Sequence, residues 1–259
     1  TRLASPKIEK KIEKSNNLTV EMYFPIGEKE LVKGKVEVIS NALKRLEKLF
    51  GKTESEGLLR FVYSPRGGWG YSRLPLFIVS SKYADKLRKK YLGKEISIHG
   101  NIHELGHFWW SIADVNTPDD WINEAAAEFS AFTLSSQIFG DKFKQYLIKK
   151  YHKDIKNSKT RTAIAETDAN SPDRYVNRYE KASLVFYGAE KRFGSSNLFA
   201  FLKSYYSEYK GTRKATTKNF LKGVKVSLGE KAEKYFSDLL FQKDWSSVDL
   251  DWLVEQKSK

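Results

Sequence analysis

The chain has 259 residues and no cysteine, with 46 lysines and arginines against 32 aspartates and glutamates for a formal net charge of +14. That length suffices for one sizeable core or two lobes, and the missing cysteines exclude disulfides and thiol chemistry, leaving any metal to nitrogen and oxygen ligands. No apolar run approaches the roughly 20 residues that span a bilayer, and the basic surplus reads first as a solvated surface, so specific nucleic-acid binding is not expected.

The segment 1–17 is rich in lysine and glutamate and reads as a charged arm or linker remnant. It opens on Thr1 rather than methionine, which suggests a processed or excerpted polypeptide. Leu18 to Phe24 has the pattern of a strand ended by Pro25. Val36, Ile39, Leu43, Leu46 and Phe50 recur at helical spacing, and Gly51 supplies the stop. Gly57 to Tyr63 and Leu74 to Val79 read as strands flanking the glycine-rich turn Gly67-Gly68-Trp69-Gly70-Tyr71. From Ile98 onward the character turns helical, with Thr117-Pro118-Asp119-Asp120 as a capped start to one helix. Ser171-Pro172 opens another in the same manner, which Gly194 closes. Further helices are expected over Leu198 to Tyr209, Thr217 to Leu228 and Ala232 to Gln242. The division is therefore 1–17, an αβ lobe over 18–97, and a helical lobe over 98–259.

Chemistry concentrates at His103-Glu104-Leu105-Gly106-His107. In a helix, two imidazoles four residues apart share one face and can reach one metal ion. Glu104, rotated about 100° from His103, borders the same pocket and can take a proton from a metal-bound water. The plain alternative is a pair of surface histidines, and the downstream sequence weighs against it. A hydrolytic zinc needs three protein ligands and an open position, and Glu124, lying among Trp121, Ile122 and an alanine run, is the natural third. Glu128, one turn beyond, can accept the remaining ring N–H of a ligating histidine, or simply face solvent; Asn123 can serve similarly. His99, one turn before His103, starts the helix or borders the site without being a ligand. His152, in the lysine-rich stretch from Lys142 to Arg161, reads as exposed.

Ile102 to Trp110, Trp121-Ile122-Asn123-Glu124, and Tyr179-Glu180-Lys181-Ala182 followed by Leu184-Val185 together resemble the catalytic domain of the aminopeptidase-N-like gluzincin metallopeptidases, from about Gly57 to Trp245. The resemblance implies an α+β, thermolysin-like two-lobe domain, an N-terminal mixed αβ lobe and a C-terminal helical lobe with the zinc between them. It implies one zinc held by His103, His107 and Glu124, Glu104 as general base, and Tyr179 as the hydroxyl that stabilises the oxyanion. More distantly, Asn123-Glu124 with Glu128 is similar to the second-helix motif of the thermolysin-like enzymes, in keeping with a histidine-holding Glu128. On spacing alone Tyr179 reads as a core aromatic, since Tyr175, Val176, Tyr179, Ala182, Phe186, Ala189 and Phe193 recur at helical intervals. Tyr175 is the reserve for its role.

Those aminopeptidases carry a Gly-Ala-Met-Glu-Asn-like strand whose glutamate grips the substrate's amino group. The nearest counterpart, Gly67, Gly68, Trp69, Gly70 and Tyr71, has no acidic residue and can offer a peptide only its backbone. The expectation is a zinc metallopeptidase acting on peptides or proteins, endopeptidase-like. The alternatives are an aminopeptidase with another anchor for the amino group, or a zinc-containing binding module whose basic face contacts anionic cell-surface polymers. An intact Glu104 argues against the last. The absence of cysteine suits the cytoplasm and an exported protein equally and leaves the compartment open, with an exported or bacterial cell-surface setting favoured over the cytoplasm.

Overall fold

The protein is described from a computed structural model over residues 7–15, 17–54, 57–68, 70–88, 90–158 and 161–251. Two compact units form, one from Thr1–Lys48 and Lys52–Phe108, the other from Leu49–Gly51 and Trp109–Lys259. Among the described residues no helix is long and apolar enough to cross a membrane.

The first unit is built on a five-stranded mixed sheet, consistent with the α+β class expected. Its strands are β1 (Ile8–Ser15), β2 (Leu18–Pro25), β3 (Leu58–Ser64), β4 (Gly70–Arg73) and β5 (Leu76–Ser80), in lateral order β1-β2-β3-β5-β4. β2, β3 and β5 run parallel, and β1 and β4 pair antiparallel at the two edges. Parallel neighbours need a crossover, which helix α1 (Lys35–Phe50) supplies between β2 and β3. Every second residue of β2 is buried, and so are all five apolar residues whose spacing marks α1. Helices α2 (Ser81–Arg88) and α3 (Gly93–Gly106) follow β5.

Two sequence expectations are corrected here. The segment 1–17 is not all an unpaired arm, because Ile8–Ser15 pairs with β2 along its whole length. Its alternating charges, with Lys10 bonded to Glu21 at 2.7 Å, are those of an edge strand protected from further pairing. α3 starts at Gly93 rather than near Ile98, and α2 was missed because eight residues are too short to show a period. α3 is buried on nearly every side, and Lys35 pins it down. From the start of α1 the buried Lys35 Nζ donates to Tyr63 of β3 at 2.5 Å and to Ser97 of α3 at 2.8 Å.

The second unit is helical: α4 (Trp121–Phe139), α5 (Asp141–Asn157), a π-helical turn (Val176–Lys181) running into α6 (Ala182–Phe193), then α7 (Ser195–Tyr209), α8 (Thr217–Leu228) and α9 (Glu230–Leu240). Phe186 sits at its centre, with ring centroids 5.6 Å from Phe129, 5.8 Å from Phe220 and 5.7 Å from Phe236. α5 was hidden in the sequence by its lysines, although Phe143, Leu147, Ile148, Tyr151 and Ile155 form a buried stripe along it. Within α5, His152 is part-buried rather than exposed, with Nδ1 3.6 Å from Asp251.

Thr117 does not cap α4 as expected; its hydroxyl donates to the Asp114 carbonyl, and a 3-10 turn, Pro118–Asp120, leads into the helix. Buried charge fixes the helix start instead. Arg178, on the π-helical turn, donates to Asp120 at 2.6 Å, to the Thr167 carbonyl at 2.8 Å and to the Thr117 carbonyl at 3.1 Å. Both ends of the ion pair are almost inaccessible, at 3% and 8% exposure. Removing one member of such a pair strands the other, so Asp120→Ala should lower unfolding stability by about 3–5 kcal/mol. Urea unfolding checks this, and a loss below about 1 kcal/mol, the scale of an exposed pair, would contradict it.

Candidate metal site

α3 ends at Gly106, and His107 stands in the C-cap position while keeping right-handed helical dihedrals, φ −66° and ψ −8°. The four-residue spacing to His103 is therefore preserved through the helix end. The two rings meet edge to face, with centroids 4.8 Å apart and Nε2 atoms 3.2 Å apart. Two nitrogens on one tetrahedral zinc at about 2.0–2.1 Å stand roughly 3.3 Å from each other, so the histidines already have the separation of a ligand pair. Glu124, the third donor that the sequence singles out, lies on α4 of the second unit. Two imidazoles and one carboxylate, in a chain with no cysteine, form a donor set that suits zinc. His99, one turn earlier on α3, is buried.

Glu104 is buried, and β4 holds it. Ser72 Oγ donates to Glu104 Oε2 at 2.5 Å, and the carboxylate lies so close to Gly70 that a Cβ there would stand 2.0 Å from Oε1. Strand alternation accounts for both contacts, since Gly70 and Ser72 share one face of β4. Tyr71 and Arg73 take the other; Tyr71 is exposed and accepts a hydrogen bond from Arg73. Of the glycine-rich residues singled out in the sequence, Gly70 alone among those described is brought against Glu104. Gly67 and Gly68 occupy the exposed bend before β4, with Gly68 at φ +73°, and Trp69 lies outside the described residues. Ser72 was missed because only the fold brings it to a carboxylate 32 positions away in the chain.

On α4, Asn123 is not placed to hold a histidine, which corrects that expectation. Its Oδ1 accepts from the backbone of Ile112 at 2.9 Å and Ala113 at 3.0 Å, and its Nδ2 donates to the Ala113 carbonyl at 3.0 Å and to Asp120 at 2.8 Å. That uses the full bonding capacity of an amide, and Asn123 anchors the 112–113 segment instead. Glu128 has a partner the sequence did not reveal, the Tyr151 hydroxyl of α5, which donates to its Oε1. Burial and the Glu128 carboxylate hold the Tyr151 phenol well above its ordinary range, so it stays a donor.

Tyr179 lies on the π-helical turn and is part-exposed rather than in the core; its ring stacks on the exposed Tyr175 with centroids 4.9 Å apart and planes 22° from parallel. Neighbours on the same turn are locked in place. Lys150 of α5 bonds both Glu180 and Asp154, and burial pushes the Glu180 carboxyl up against the pull of Lys150. Lys181 packs its ammonium 5.3 Å from the centre of the Trp245 ring, and burial, partly offset by Asp173, brings it down to about 8.

No family model and no curated protein matches the chain. Solved structures do. An M1 zinc metallopeptidase from Deinococcus radiodurans aligns at a TM-score of 0.69 and 16% identity, covering 92% of this chain and 52% of that one. A variant from the same organism, bound to a Tyr-Ser-Ala substrate, aligns at a TM-score of 0.70 and 17% identity over 92% of this chain and 52% of that one. A two-domain M1 zinc metallopeptidase variant bound to L-arginine gives a TM-score of 0.70 and 17% identity, with 92% and 52% coverage. The chain thus spans about half the length of these structures, and what it shares with them is a gluzincin-like fold.

The donor set carries a direct test. Purified protein dialysed against zinc should retain one equivalent by elemental analysis. His103→Ala and Glu124→Ala should each weaken retention by well over the 10- to 100-fold typical of losing a residue that only supports a ligand. Undiminished zinc in both variants would remove these residues from the site.

Proposed function

We propose that this chain is a zinc-dependent peptidase that cleaves within peptides or at blocked termini. The observation that carries the reading is a buried carboxylate, Glu104, fixed by Ser72 and adjacent in sequence to one of two histidines whose nitrogens stand at the separation of metal ligands. His103, His107 and Glu124 would hold one zinc, with Glu128 or its surroundings steadying a ligand ring. When bound, zinc supplies Lewis acidity to the scissile carbonyl and lowers the pKa of water toward neutrality.

The chain's own residues then divide the remaining work. Glu104 receives the proton of the attacking water and passes it to the leaving amine, a role that wants a carboxylate fixed in one orientation. Tyr179 offers its O–H to the oxygen on which negative charge develops, an interaction that strengthens as the charge forms. β4 is an edge strand, and its unpaired backbone side can accept an extended peptide as a further strand. Support for peptides as the substrate class comes from the fold, one of whose solved examples is bound to a Tyr-Ser-Ala substrate.

The preference for internal or blocked sites rests on a missing charge. From Gly67 to Arg73 the sequence contains no aspartate or glutamate, so this strand offers a substrate ammonium no counter-charge. A hydrogen bond to a charged group is worth about 1.5–3 kcal/mol, and without it the preference for free amino groups should shrink by roughly one to two orders of magnitude. Comparing kcat/KM for one peptide with free and acetylated N-termini checks this. A preference above about a hundredfold for the free amine would convert the reading to an aminopeptidase with a different anchor.

The assigned roles make distinct kinetic predictions. Glu104→Gln should keep zinc and lose about 10²- to 10⁴-fold in turnover, because the amide cannot accept a proton. Tyr179→Phe should lower kcat more than it raises KM, as expected for a contact made mainly in the transition state. Unchanged kcat in Tyr179→Phe would hand the role to Tyr175.

A further inference from the structure

We infer that Ser72 is the positioning residue for the general base, and that Gly70 is required so that the base can reach its place. This rests on reading Glu104 as the base. Two independent features of β4 converge on the same carboxylate. Ser72 Oγ donates to Oε2 at 2.5 Å, and the bare Cα of Gly70 leaves the volume that Oε1 occupies, where any Cβ would overlap it at 2.0 Å. The next-but-one spacing puts both on the face of β4 that meets α3, and antiparallel pairing of Gly70 to Val79 and Ser72 to Phe77 fixes the strand's register.

The consequence is a division of labour between the two carboxylate oxygens. A glutamate has three side-chain torsions, and an unrestrained carboxylate loses effective concentration at the reacting atoms. With Oε2 engaged by Ser72, rotation about the last torsion is restrained and the proton-accepting capacity of Oε1 faces one direction. Gly70 has ordinary backbone dihedrals, unlike Gly68 at φ +73°, so its glycine is a matter of space rather than of conformation. The base is thereby coupled to the edge strand proposed to receive the peptide, and a shift of β4 would move both.

The test uses zinc-loaded wild type, Ser72→Ala, Ser72→Thr and Gly70→Ala, each assayed for zinc content, melting temperature and peptide hydrolysis, with crystal structures of wild type and Ser72→Ala. Ser72→Ala should keep one zinc and the wild-type melting temperature, while kcat falls about tenfold to a hundredfold and KM stays within about twofold. Ser72→Thr keeps the hydroxyl on a side chain suited to a strand and should recover most of kcat. Gly70→Ala should lose at least as much as Ser72→Ala, by displacing the carboxylate. In the crystals, Ser72 should bond Glu104 in wild type, and the Glu104 side chain should turn away in Ser72→Ala. An unchanged kcat in Ser72→Ala, a threonine variant no better than alanine, or a wild-type crystal without the Ser72 to Glu104 bond would each overturn the inference. If wild type hydrolyses no peptide, the peptidase reading fails by itself, and the two crystal structures still decide whether Ser72 sets the position of Glu104.

Discussion

Two ring nitrogens stand 3.2 Å apart on one helix face, the separation of two ligands that share a single cation. That convergence organises the rest of the site, because it is the arrangement that a shared metal ion requires of two ligands. Glu104, next in sequence to His103, is buried, and a carboxylate out of water is costly unless it is hydrogen-bonded. Ser72 provides that bond, and Gly70 provides the room. A strand of four residues thus solves an electrostatic problem set by a helix, and the solution fixes the orientation that proton transfer needs.

The second unit shows a different economy. Its reactive candidates sit on elements tied down by buried polar contacts rather than by apolar packing alone. Asn123 spends all of its bonding capacity on backbone and Asp120, and Arg178 reaches from the π-helical turn to Asp120 and two carbonyls. Buried ion pairs contribute little net stability, since desolvation offsets most of their attraction, but removing one partner is costly because it leaves the other charge uncompensated. A π-helical turn is rare and is frequently found at functional positions. Tyr175, just before the turn, and Tyr179 on it stack with ring centroids 4.9 Å apart. Held by Arg178 on one side and by the Lys150 to Glu180 pair on another, the turn presents Tyr179 part-exposed instead of burying it.

Much of this was legible in the sequence because the signal was local and periodic. The His103 to His107 spacing, the buried face of α1, the β2 strand and helices α7 to α9 all follow from patterns of two or of three to four residues. What escaped was non-local or masked by charge. β1 looked like a solvated arm because its lysines protect an edge, and α5 looked like a basic patch although five apolar residues lie along one side. Asn123 was read as a possible histidine partner because nothing in the sequence tells where a fully satisfied amide spends its bonds. Ser72 and Tyr151 become meaningful only once the fold brings them to carboxylates 32 and 23 positions away in the chain. The π-helical turn has no sequence signature of this kind, and helical spacing alone placed Tyr179 in the core.

The most direct test of the account is where a zinc ion sits. Crystals of the zinc-loaded protein, measured on both sides of the zinc absorption edge, should show a single strong anomalous peak within about 2.0–2.2 Å of the Nε2 atoms of His103 and His107 and of a Glu124 carboxylate oxygen. An anomalous peak elsewhere, or none at these three residues in crystals soaked to saturation, would contradict it.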